Sequence, residues 1–105
     1  MPLTANAFPQ PADAVRIEEW VIDPGGPDSA YRCFTGSSWV VGQPEREHDT
    51  TVVIVGTQHA DRSTERGILV ERLDDELTIG QARELARALM AAADEAADMN
   101  GRDEL

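Results

Sequence analysis

The chain holds a single cysteine, no lysine, two Trp, one Tyr and two Phe among 105 residues, and each scarcity excludes something. Cys33 has no second cysteine with which to close an internal disulfide. No stretch approaches the ~20 consecutive apolar residues of a membrane-spanning helix. Met1–Ala14 lacks the basic start and apolar run of a secretory signal, so the chain reads as cytoplasmic. The closing Arg102-Asp103-Glu104-Leu105 resembles a retention signal of the endoplasmic reticulum, but without an entry signal it reads as coincidence. All nine basic residues are Arg against twenty acids, a net charge of −11. That charge repels phosphate, which argues against nucleic-acid binding and against an anionic membrane surface. Abundant Ala, Arg, Asp and Glu without Lys is the composition that GC-rich codons favour.

What is present is most legible in Leu77–Asp98, LTIGQARELARALMAAADEAAD. Thr78 is a good N-cap, and Gln81 three residues later closes a capping box. Asp74, Asp75 and Glu76 place negative charge near the positive end of the helix. Ala82, Leu85, Ala86, Leu89, Ala93, Ala96 and Ala97 recur at helical spacing and form the expected stripe toward a sheet. Asn100-Gly101 is the expected stop. The polar, Pro-containing residues 1–14 and the charged residues 99–105 read as flexible tails, leaving one domain over 15–98.

Strand candidates fill the remainder. Val15–Ile22 alternates imperfectly around Glu18-Glu19, as an edge or bulged strand would. Asp23–Asp28 is turn chemistry. Ala30–Thr35 alternates with Tyr31 and Cys33 on one face and Arg32 between them. Gly36-Ser37 interrupts it, and Ser38–Val41 is either a third strand or a continuation of the second past a bend. Thr51–Thr57, with four successive Val/Ile residues, implies burial on both faces or a central position, and its Gly56 implies a bulge or a close approach. His59–Thr64 is a hairpin loop. Gly67–Leu73 is the last strand, with Ile68 and Val70 on one face. The fold class is therefore α+β: an antiparallel sheet of four to five strands followed by one amphipathic helix packed on one face.

The chemical inventory points away from an enzyme. Cys33 with His48 or His59 would make a thiolate pair, but a mid-strand cysteine normally packs as a small hydrophobe. Ser29, Ser37, Ser38 and Ser63 carry no nucleophile signature. His48-Asp49 and His59-Ala60-Asp61 fall short of the three or four ligands a transition metal needs, and Gly25-Gly26 lies between Asp23 and Asp28, which repel an anion. No cofactor or metal site is expected. One helix covers one sheet face, so an aromatic left on the open face would anchor an interface. Trp39 is the first candidate and Trp20 the second. Asp74, Asp75 and Glu76, if they converge with other acids, would offer a partner an acidic surface.

YRCFTGSSWVVG, VGTQHADRSTERGI and above all LTIGQARELARALMAAADEAAD resemble small actinobacterial and actinobacteriophage proteins with no assigned activity. The resemblance covers about two-thirds of the chain and implies a few strands followed by one alanine-rich helix. Some relatives carry Cys and His around the Trp segment in a zinc-like pattern, whereas Ser38 and Val40 flank Trp39 here. The expected function is a non-enzymatic accessory protein that binds another protein or itself, as a homodimer. The alternative is an acidic phage-type inhibitor or nucleic-acid mimic that occupies a basic groove of a host protein.

Overall fold

The computed structural model describes residues 9–22, 29–42, 49–72 and 76–103. Four strands form an antiparallel meander: β1 Arg16–Ile17, β2 Tyr31–Val41, β3 Thr50–His59 and β4 Thr64–Glu71, in that spatial order. One helix, α1 Ile79–Asp103, follows and packs on β2, β3 and β4. The α+β architecture read from the sequence is the one observed. The Val/Ile-rich segment is β3, paired on both sides, which explains its need for apolar residues on both faces.

Ala30–Thr35 and Ser38–Val41 are one strand. Between Thr35↔Val55 and Ser38↔Val53, β2 advances three residues while β3 advances two, so Gly36-Ser37 hold a bulge. The extra residue reverses the side-chain parity. Arg32, Phe34 and Gly36 before it, and Trp39 and Val41 after it, therefore all face the helix side. Val15–Ile22 contributes only the two-residue edge strand β1 and a single bridge from Val21 to Tyr31.

The helix begins as its capping box dictates. Thr78 Oγ1 accepts from the Gln81 N–H (3.1 Å), and Gln81 Oε1 accepts from the Thr78 N–H (2.9 Å). Gln81 Nε2 also donates to Gly42 O just past β2, which fixes where the helix meets the sheet. The buried stripe differs from the expected one: it is Leu85, Ala88, Ala92, Ala96 and Met99, with Leu89 partly buried, while Ala82, Ala86, Ala93 and Ala97 are exposed. An alanine-rich helix offers two overlapping stripes, and the sheet selects the one whose alanines allow close approach. Asn100-Gly101 does not end the helix. Met99 is buried and Asn100 Oδ1 accepts from Arg66 Nη1 (2.8 Å), while an Asp98–Arg102 pair (3.1 Å) spans the last turns.

Beyond the helix end, residues 9–14 cover the same sheet face, which corrects their assignment to a tail. Arg66 Nε and Nη2 hold both oxygens of Asp13 (3.0 and 2.8 Å), a two-pronged pair largely shielded from bulk water. Gln58 Nε2 donates to Pro9 O (2.8 Å), and Gln58 Oε1 accepts from Arg32 Nε (2.7 Å). Phe34 lies across Gly56, its partner on β3. A Cβ on Gly56 would overlap Phe34 Cζ and Cε1 and stand 2.9 Å from Glu65 O. Gly56 thus marks a close approach within a regularly paired strand.

Candidate interaction surface

Alternation along β3 and β4 sorts their residues between two faces. The helix-side set is Val52, Ile54, Ile68 and Val70. The opposite set, Val53, Val55 and Thr57 on β3 with Leu69 on β4, joins Cys33 and Thr35 of β2 by register. None of the described residues forms a layer over this second face. Leu69 is 44% exposed and Val40 58% exposed, apolar area that the single helix leaves uncovered. The rim is charged. Glu65 and Glu71 stand exposed along β4, and Arg16 and Glu18 along the opposite edge.

Gly67 breaks the surface. It sits between Glu65 and Leu69 on the open side of β4, and nothing lies within 4 Å of where its Cβ would be. The result is a shallow depression of about 540 Å³ whose lining includes Arg16, Glu18, Cys33, Val55, Glu65 and Gly67. Its polar residues are two arginines, two carboxylates, two threonines and the half-buried Cys33.

The β3–β4 hairpin is locked at its tip. His59 N–H donates to Ser63 O and Arg62 N–H to His59 O (both 2.9 Å), with Arg62 at φ 76°. Asp61 Oδ1 accepts from the Ser63 N–H (2.8 Å) and Oγ (2.5 Å). Those two donors hold the Asp61 carboxyl below its ordinary pKa. His59 Nε2 lies 3.5 Å from Glu65 Oε2 at the start of β4. These contacts set the register in which Glu65, Gly67, Leu69 and Glu71 line one side of the last strand.

The residues singled out from sequence fall elsewhere. Trp39 is not on the open face: the bulge turns it to the helix side, where it is partly buried against the core. Trp20 lies half-buried under the Arg32 guanidinium, 4.7 Å from ring centroid to Cζ. That stacking, with the bond to Gln58, gives the buried Arg32 its partners on the covered face. Burial lowers the Arg32 pKa, though an arginine keeps its charge. Glu76 is exposed, while Asp74, Asp75 and His48 lie outside the described residues. On the solvent side of α1 both signs of charge are interspersed, Arg83, Arg87 and Arg102 among Glu84, Asp94 and Asp98, so the helix presents no uniformly acidic surface. Cys33 and His59 share the open face, but their register positions, Cys33↔Thr57 and Tyr31↔His59, set them on different rows. No three His, Cys, Asp or Glu side chains cluster as metal ligands among the described residues, and no described helix is long and apolar enough to cross a membrane.

The open sheet face is implied by the sequence only indirectly: a single helix cannot cover both faces of a sheet whose central strand is apolar on both. Comparison of the chain with protein-family models, curated proteins and solved structures gives no match.

Proposed function

We propose that this chain is a non-enzymatic binding module, an accessory protein of actinobacterial or phage origin acting in the cytoplasm, which docks another protein on the sheet surface that its helix leaves open. The observation that carries the reading is the uncovered face of Val53, Val55, Thr57 and Leu69 beside an exposed β4. Rim charge favours a different protein over a second copy. In a face-to-face pair about an axis parallel to the strands, Glu18 of one copy would meet Glu65 of the other, because both flank the Cys33–Thr57 row. Like charges placed opposite each other oppose such pairing.

The test compares variants of equal foldedness in capture experiments from an actinobacterial lysate. Val53→Glu and Leu69→Glu place charge on the open face without entering the core, and each is expected to abolish capture of the proteins that wild type retains. Met90→Glu, on the solvent side of α1, is expected to retain them. Capture lost with Met90→Glu and kept with Val53→Glu would overturn the reading. Competition by duplex DNA for the same partner would support the nucleic-acid mimic in its place.

A further inference from the structure

The exposed part of the sheet includes an edge as well as a face. β4 is the last strand of the sheet, eight residues that among the described residues pair only with β3, in unbroken register from Thr51↔Glu71 to Gln58↔Thr64. It contains neither proline nor bulge, and of the usual guards of an open edge it carries only charge, in Glu65, Arg66 and Glu71. The His59–Ser63 bond sets the alternation of the ladder. Continuing it, Glu65, Gly67, Leu69 and Glu71 turn their backbone groups to β3, and Ile68 and Val70 turn theirs outward.

Side chains along the open side of β4 read Glu65, Gly67, Leu69, Glu71: an acid, a notch, an apolar residue, an acid. A second copy pairs poorly with this order. The antiparallel register centred on Ile68 sets Glu65 against Glu71 at both ends, which is repulsive. The register centred on Gly67 sets notch against notch and Glu65 against Leu69.

Resting on the binding reading above, we infer that the partner contributes an extended, basic segment that adds as an antiparallel fifth strand to β4. Its outward residues read basic, apolar, aromatic, basic at alternate positions. The two basic residues face Glu71 and Glu65, the apolar one faces Leu69, and the aromatic ring fills the depression over Gly67. Backbone hydrogen bonds to Ile68 and Val70 supply affinity and the alternate side chains supply selectivity.

The probe is the fluorescent peptide Lys-Val-Val-Ile-Tyr-Thr-Lys, titrated by anisotropy. We expect saturable binding, at least tenfold weaker for the peptide with both Lys replaced by Glu. The Glu65→Lys/Glu71→Lys double variant, altered only at exposed positions, should reverse that preference. N-methylation of the central Ile, whose N–H faces Ile68, should abolish binding, whereas N-methylation of the following Tyr, whose N–H points away, should be tolerated. Absence of saturable binding, equal binding of both charge forms, or equal tolerance of both methylations would overturn the inference. So would dimerisation of the free protein that is lost in an Ile68→Pro variant. If the peptide fails while Val53→Glu still abolishes partner capture, the edge inference falls and the binding module stands; failure of both removes both.

Discussion

Replacing Gly56 with Ala tests the packing that holds the two halves of the sheet face together. The new Cβ would overlap the ring edge of Phe34 and approach Glu65 O at 2.9 Å. Relief requires the ring to move by about an ångström in an interior packed like an organic crystal. Phe34 is 1% exposed and lies beneath the Arg66 guanidinium, 5.5 Å from ring centroid to Cζ. Arg66 is itself held by Asp13 and Asn100, so the ring has no soft neighbour. Overpacking of this kind costs about 1–3 kcal/mol, occasionally more, and backing by backbone and ion pair puts Gly56 near the top of that range. Reduced freedom of the unfolded chain offsets about 0.4–1 kcal/mol. The expected net loss is about 2–3 kcal/mol, which for a domain of this size lowers Tm by roughly 8–24 °C. Urea denaturation followed by circular dichroism measures it. In a Phe34→Leu background the ring is gone, and the same substitution should cost at least about 1 kcal/mol less. A loss under about 0.5 kcal/mol in wild type, or the same loss in both backgrounds, would refute the steric account.

Four further outcomes follow from the same geometry. Asp13→Ala leaves the buried Arg66 guanidinium without its carboxylate and should cost about 3 kcal/mol in urea melts. Thr78→Ala removes one half of the capping box and should cost about 1 kcal/mol. Ala92→Asp should unfold the domain, because Ala92 is fully buried against the sheet, while Ala86→Asp should change stability by less than about 0.5 kcal/mol; thermal melts of the two variants check which helix stripe is buried. The fourth is a pH effect at the hairpin tip. Asp61 has a lowered folded pKa owing first to the Ser63 hydroxyl and then to the Ser63 N–H, so its stabilising contribution is complete above the ordinary carboxylate range and is lost as pH falls through the lowered value. Carboxyl NMR titration should show the Asp61 midpoint rise in Ser63→Ala.

The amino-acid sequence by itself determined the features that rest on local physics. Thr78 and Gln81 set the start of the helix because a capping box closes within four residues. The β-branched run of β3 implied burial on both faces or a central position, and Gly56 marked a bulge or a close approach, since only glycine admits another group so near the backbone. Tertiary structure decided which face each residue takes. One extra residue at Gly36-Ser37 reverses the parity of β2, turning Trp39 inward to the core, and no local pattern states whether an interruption is a bulge or a strand end. Arg32 enters the covered face only because Trp20, Gln58 and Pro9 converge there from distant parts of the chain. The alanine-rich helix carried two candidate stripes, and contact with Val52, Ile54 and their neighbours chose between them. Residues 9–14 look like a tail in isolation, since the Asp13–Arg66 pair that fastens them joins residues 53 apart. Hydrogen bonds between neighbours can be read in order along a chain; long-range pairs and shared faces exist only after the layers meet.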